Sequence, residues 1–152
     1  MKDLYYGGWV AENMYYMGYS GFVDWNGLWI GGISGIFKPY DFKKGYTEVY
    51  PFSDSDIKSV YHTREFEVMK VLHMNSEPID IMLSHDWPTV IGDITDKKAL
   101  LKIKPHFDED LRTHKLGNPH FNQILKTLKP QFWCSAHLHV RWSEIIEHSD
   151  GS

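Results

Sequence analysis

The chain lacks several features that would place it in a specialised class of proteins. Among its 152 residues only one, Cys134, is a cysteine, so there is no disulfide framework and an intracellular compartment fits. It has no signal peptide and no apolar run near the length of a membrane span, so we expect no membrane partner. Its net charge of -4 gives no global basic footprint, and RNA or DNA binding would need a local patch.

Aromatic residues and histidines are abundant instead. The hydrophobic fraction is 42%, the aromatic fraction is 15%, and nine residues are histidines. This length and composition predict one globular domain with a substantial core. We place that domain at residues 1–142 and expect residues 143–152 to form a frayed polar tail. Cys134 lies in an apolar stretch and is expected to be buried as a small hydrophobic side chain.

Strands and helices alternate along the sequence. Asn26 and Gly27 separate two apolar runs, which is the strongest short hairpin signal because a type I′ turn needs two residues with positive φ. Ser53 or Asp54 is predicted to cap a helix that runs to about Leu72. Strands at 79–83 and 132–136 follow, with helices between them. This order predicts an α/β layered fold with a mixed sheet, because its first strands form a hairpin.

Two predicted strands end in histidines. The strand at 132–136 leads into His137 and His139, and in an extended chain residues two apart point the same way. The strand at 79–83 is followed by Ser84 and His85. Because ligands bind at the carboxyl edge of open α/β sheets, His85, His137 and His139 would form a partial metal shell there. The alternative is that the paired histidines lie on a surface loop, because His-x-His is a weak pattern.

Cations and aromatic residues alternate in a long segment without periodicity, residues 34–52. We predict that its substrate-binding side chains are Lys38, Tyr40, Lys43, Lys44 and Tyr46. Aromatic faces stack on bases while lysines meet phosphates, which fits RNA binding. The alternative is a solvated loop whose tyrosines pack down on the domain. His62 and Arg64 lie near the middle of the predicted helix, where they could reach back toward a site.

The residues around these histidines carry a family resemblance. The strings 84–87 and 135–140 resemble the last two metal motifs of the calcineurin-like metallophosphoesterases. The strings 6–11, 30–38 and 59–64 resemble the RNA lariat debranching enzymes, and the resemblance spans about Leu4 to Trp142.

This resemblance implies hydrolysis of the 2′-5′ phosphodiester at the branch of excised intron lariat RNA, in the nucleus and also in the cytoplasm. It implies one or two divalent metal ions, with iron, zinc and manganese as candidates. His85 would bind one metal, and His137 and His139 would divide between the two positions. The segment 38–51 resembles the family's lariat-recognition loop, and His62 and Arg64 would lie near the substrate. Asp86 would orient a neighbouring ligand or cap the following turn.

The sequence also departs from the family pattern. The Asp-x-His, Gly-Asp-x-x-Asp and Gly-Asn-His-Glu motifs do not occur, and the Asn-His motif would lie just before Leu4. We therefore expect a partial calcineurin-like sandwich whose N-terminal strands are missing, together with the general acid. Such a chain would bind metal weakly, show little catalysis alone, and depend on the missing N-terminal half or on a partner chain. The alternatives are a non-catalytic RNA-binding remnant and a metallophosphoesterase with another phosphoester substrate.

Overall fold

The computed structural model describes residues 2–74, 77–89 and 96–148, and its strands form two sheets. The smaller sheet is an antiparallel pair of β1 (Gly8–Ala11) and β2 (Met14–Tyr16). The main sheet has the order β3 (Ser20–Trp25), β4 (Leu28–Ile33), β5 (Ile81–Ser84) and β6 (Phe132–Ser135). Strands β3 and β4 pair antiparallel, whereas β4–β5 and β5–β6 pair parallel. The predicted mixed sheet is therefore confirmed.

Short helices connect these strands. They are α1 (Pro39–Phe42), α2 (Asp54–Ser59), α3 (Glu65–Met74), α4 (Lys97–Ile103), α5 (Asp108–Arg112) and α6 (Phe121–Leu128), with 3-10 turns at Lys2–Leu4 and Pro105–Phe107. None of the described helices has the length and apolar composition that a membrane crossing requires. In the predicted tail, residues 143–148 form neither helix nor strand, and 149–152 lie outside the described residues.

The single helix predicted between Ser53 and Leu72 is interrupted, so this prediction is wrong in its middle. Ser53 does begin α2, through a capping box with Asp56. The helix ends at Ser59, and α3 begins only at Glu65. Between them the Thr63 N–H donates to the Ile36 carbonyl at 2.9 Å. This tertiary bond replaces the helical one, so the local helical pattern is overridden.

One face of the main sheet packs against α3 and α6 and forms the first core cluster. Its buried members are Ile33, Phe42, Val68, Val71, Met82, Phe121 and Ile124. Met82 in β5 and Phe121 in α6 have no exposed surface. Strand β5 lies between β4 and β6, and Met82 holds it against the core. This packing fixes the position at which β5 ends.

A second core cluster lies beyond the sheet and is built from the helices after β5. Its buried members are Leu100, Phe107, Leu111 and Leu116. Leu138, Val140 and Trp142 pack against it from the segment that follows β6. The cluster therefore anchors the chain that carries the His-x-His sequence.

Strand β6 is more exposed than the sequence predicts. Phe132 is 65% exposed, and Cys134 is exposed rather than buried. Among the described strands β6 pairs only with β5, and its odd and even side chains face opposite sides of the sheet. Trp133 packs on the first core cluster, so Phe132 and Cys134 face away from the helices. The prediction that Cys134 is buried is therefore wrong.

The turn between β3 and β4 has the predicted geometry. Asn26 has φ 53° and Gly27 has φ 84°, which are the two positive values of a type I′ turn. The Gly27 N–H donates to Asp24 Oδ1 at 2.7 Å. A Cβ added at Gly27 would meet no atom within 4 Å, so only backbone strain opposes a side chain there.

We therefore expect Gly27→Ala to lower the free energy of unfolding by about 1 kcal/mol, measured by urea denaturation. Gly45→Ala is the matched control. Its added Cβ also meets nothing within 4 Å, and its φ lies outside the left-handed region, so we expect no loss. Equal effects of the two substitutions would contradict the turn assignment.

Candidate metal centre and adjacent loop

The parallel pairing of β5 and β6 brings two histidines together. Ser84 and Ser135 are partners at the ends of these strands, and the Ala136 N–H donates to the His85 carbonyl at 3.1 Å. Just beyond, His85 Nε2 lies 3.2 Å from His137 Nδ1, and the ring centroids are 5.0 Å apart. Two of the three histidines predicted at this edge therefore face each other in the structure.

His139 is placed differently because the chain beyond β6 is not extended. His137 has φ 59° and His139 has φ 49°, so the two-residue repeat of a strand does not apply there. The Leu138 N–H donates to the Ala136 carbonyl at 2.7 Å, which closes a tight turn. Within the described ranges, no group of three or more His, Cys, Asp or Glu side chains is arranged to hold a metal ion.

The surroundings of His85 favour its neutral form. Partial burial lowers the pKa of its imidazole, and the nearby rings of His137 and His139 lower it further, whereas Asp86 opposes the shift. A neutral imidazole offers the unprotonated nitrogen that a metal ligand needs.

The distance between the two nitrogens suits a divalent ion. In a tetrahedral zinc site with Zn–N bonds of about 2.0–2.1 Å, two ligand nitrogens lie roughly 3.3 Å apart. The 3.2 Å separation of His85 Nε2 and His137 Nδ1 is close to this value. The same contact is a hydrogen bond between the two rings, so an ion bound there would replace the proton that they share, and the pair does not by itself complete a metal shell.

Asp86 is buried beside this pair, and its carboxylate binds backbone groups. Oδ1 accepts from the Trp87 N–H at 2.9 Å, and Oδ2 accepts from the Phe37 N–H at 3.1 Å. Burial raises the pKa of its carboxyl, and these two hydrogen bonds oppose the rise. These contacts favour the interpretation that Asp86 caps the following turn. That Asp86 also orients a neighbouring metal ligand stays a prediction.

Trp87 joins the two histidine loops and was not singled out from the sequence. Its Nε1–H donates to the Ala136 carbonyl at 2.7 Å. The residue is 5% exposed, so this bond is sheltered from water. No sequence signal could have revealed the contact, because its partners are 49 residues apart.

A cavity of about 630 Å³ opens beside the histidines. Its aromatic and apolar walls include Tyr15, Tyr16, Met17, Tyr19, Tyr61 and Leu83, and His85 and His137 line one end. An aromatic cavity that ends in two imidazoles offers both stacking surfaces and metal-ligand nitrogens to one bound molecule.

The loop predicted to bind substrate divides into an outer and an inner set of side chains. Tyr40 is 64% exposed, Lys43 and Lys44 are exposed, and Lys38 is half-buried. Tyr46 instead packs inward, with its ring centroid 4.5 Å from that of Tyr19. Burial raises the pKa of its phenol. The packing of Tyr46 agrees with the alternative in which the tyrosines pack down on the domain, and RNA binding by the exposed side chains stays a prediction.

The buried side chain of Arg64 donates hydrogen bonds to two residues of this loop. Its Nη1 donates to the Asp41 carbonyl at 2.7 Å, and its Nη2 donates to Glu48 Oε1 at 2.7 Å. His62 Nδ1 lies 2.7 Å from Asp41 Oδ2. Arg64 is 2% exposed and His62 is 5% exposed. The structure thus gives both residues a supporting position beneath the loop, not the exposed position that direct contact with RNA requires.

The two acidic partners in this network were missed by sequence reasoning, which considered only the cations and aromatics of the loop. A hydrogen bond from Lys44 lowers the pKa of the Asp41 carboxyl, a second from His62 lowers it further, and burial opposes them. Asp41 is therefore ionised at neutral pH. Both acidic residues are buried, and a buried carboxylate needs such partners.

Two imidazoles at the carboxyl edge of a mixed α/β sheet form the candidate functional site. No protein-family model matches the chain. The chain is 47% identical over 148 residues to the lariat debranching enzyme of Homo sapiens, 44% over 149 residues to that of Schizosaccharomyces pombe, and 42% over 151 residues to that of Arabidopsis thaliana. The chain is thus homologous, over nearly its whole length, to one segment of the lariat debranching enzymes.

The match covers little of the relatives' own length. The chain spans 27% of the human protein, 32% of the Schizosaccharomyces pombe protein and 36% of the Arabidopsis thaliana protein. The resemblance to debranching enzymes and the α/β class with helices flanking a mixed sheet are both confirmed. The roles of individual site residues stay predictions.

Removal of the Arg64 guanidinium leaves the buried Glu48 carboxylate without its closest cation. We therefore expect Arg64→Met to lower the free energy of unfolding by about 3 kcal/mol or more, measured by urea denaturation. Lys44→Met removes the exposed cation on Asp41 and is expected to cost less than about 1 kcal/mol. A loss at Arg64 no greater than that at Lys44 would show that Arg64 does not support the loop.

Proposed function

We propose that this chain is part of a metal-dependent phosphodiesterase that hydrolyses the 2′-5′ branch linkage of excised intron lariat RNA. The observation that carries the proposal is the facing pair His85 and His137 at the end of two parallel strands, in a chain homologous to lariat debranching enzymes. Because introns are excised in the nucleus, we propose a nuclear location for the complete protein, with the cytoplasm as a second site.

In this proposal the two imidazoles bind a divalent ion, and His139 joins them or binds a second ion. Iron, zinc and manganese all accept imidazole nitrogen. A divalent ion held there would lower the pKa of a bound water and stabilise the charge that develops on the phosphate. The neutral state of His85 keeps its nitrogen available, and Trp87 holds the two histidine loops at a fixed separation. The remaining ligands and the general acid come from other parts of the complete protein.

The loop supplies the local basic and aromatic patch that RNA binding by an acidic chain requires. Exposed Tyr40 offers a ring for stacking on a base, and Lys43 and Lys44 offer charges to phosphates. Lys38 is at the base of the loop. Arg64 fixes the loop conformation before RNA arrives, which reduces the entropy lost on binding.

A second candidate function is RNA binding without catalysis. The buried network beneath the loop involves none of the histidines at the sheet edge, so the loop can keep its shape without a metal ion. The complete enzyme and the non-catalytic binder differ in whether the His85–His137 pair contributes to bond cleavage.

The decisive test places this chain in a complete protein. The matching 27% of the human lariat debranching enzyme is replaced by this chain, and the hybrid is assayed on 2′-5′ branched RNA and on linear RNA of the same sequence. We expect cleavage of the branched RNA alone. His137→Ala in the hybrid should lower kcat by at least about 100-fold, because the metal is left with one ligand fewer.

His106→Ala is the matched control, because His106 is an exposed histidine on the 3-10 turn. We expect it to leave kcat unchanged. A folded hybrid that binds branched RNA but leaves it intact would support the non-catalytic alternative. Hydrolysis of simple aryl phosphates without preference for the branch would instead support a phosphoesterase with another substrate.

A further inference from the structure

The helix α4 and its last flanking residue carry a concentrated positive charge. Within residues 97–104 there are four lysines, Lys97, Lys98, Lys102 and Lys104, and no acidic residue. Three of them are exposed, and Lys104 is half-buried. In a chain with a net charge of -4, such a segment is a local exception to the overall balance.

These charges are not neutralised by neighbours in the part of the chain that the structure describes. None of the four lysines forms an ion pair there. The nearest acid in sequence, Asp96, caps the helix by accepting from the Ala99 N–H at 2.9 Å. Three acidic residues begin α5, after the intervening 3-10 turn, at positions 108–110. None of them forms an ion pair with the four lysines. Like charges crowded on a short helix oppose its formation, and a bound anion would relieve that repulsion.

The lysine helix packs on the same apolar cluster as the segment that follows β6. Its Leu100 is a buried member of the second core cluster, against which Leu138 and Val140 pack. These two residues flank His139 directly. The same apolar cluster therefore joins α4 to the segment that carries His137 and His139.

We propose that the exposed lysines of α4 form a second RNA-contacting surface, which binds backbone phosphates of the strand that flanks the branch. This inference rests on the proposed function, because the reacting phosphate would lie at the histidines. The lysine ammonium group is a compact charge that pairs with a backbone phosphate and does not recognise the base. The surface would therefore contribute affinity that is independent of sequence and sensitive to salt, whereas the loop with Tyr40 would contribute recognition of the branch.

The test compares the salt dependence of RNA binding by the 152-residue chain and its variants. K98Q/K102Q removes two exposed charges one helical turn apart, and glutamine keeps the helix propensity of lysine. K126Q removes an exposed charge on α6 and is the control, and K43Q/K44Q changes the loop. Dissociation constants are measured for branched RNA and for linear RNA of equal length between about 50 and 200 mM salt. Circular dichroism verifies that each variant is folded.

For K98Q/K102Q we expect the slope of log K against log salt to become shallower by about 0.7 for each phosphate that the variant no longer neutralises, equally for both RNAs. We expect K126Q to keep the wild-type slope. An unchanged slope in K98Q/K102Q, or an equal change in K126Q, would overturn the inference.

The two proposals fail in different ways. If K98Q/K102Q has no effect while K43Q/K44Q weakens binding of branched RNA alone, the lysine surface is wrong and the proposed function stands. If the K98Q/K102Q slope falls but the wild-type chain does not prefer branched RNA, the lysine surface stands and branch recognition by this chain is wrong. If the wild-type chain binds neither RNA at the lowest salt, the lysine surface is overturned, and the hybrid enzyme alone decides the proposed function.

Discussion

The candidate site depends on the parallel pairing of β5 with β6. Two parallel strands deliver their carboxyl ends to one edge of a sheet, and the register of Ser84 with Ser135 sets the relative height of the loops that follow. His85 and His137 face each other as a result, although they are 52 residues apart in sequence. The positive φ of His137 then turns its ring toward His85, so the contact needs both the strand register and the turn that follows β6.

The loop and the histidine pair are mechanically linked through one buried carboxylate. Asp86 follows His85 directly and accepts a hydrogen bond from the Phe37 N–H, at the start of the loop. Further along the loop, Arg64 binds the Asp41 carbonyl and the Glu48 carboxylate. Both ends of the loop are therefore fixed relative to the sheet. A surface built on such supports can present Tyr40 at a defined distance from the histidines.

Local sequence signals predicted the features that depend on local chemistry. The positive φ values at Asn26 and Gly27, the helix start at Ser53 and the histidines at two strand ends all follow from neighbouring residues. The helix break before Glu65 could not be predicted, because it arises from a hydrogen bond to a distant carbonyl. The exposure of Cys134 likewise depends on which elements cover the sheet, and an apolar strand does not specify them.

The most direct measurement of the central claim is a titration of the chain with zinc, followed by NMR of the histidine ring nitrogens. We expect the ring resonances of His85 and His137 to shift together at a single midpoint, because one ion contacts both imidazoles. The ring of exposed His106 should stay unchanged. Separate midpoints for His85 and His137, or a shift of only one of them, would contradict a shared metal site at the end of β5 and β6.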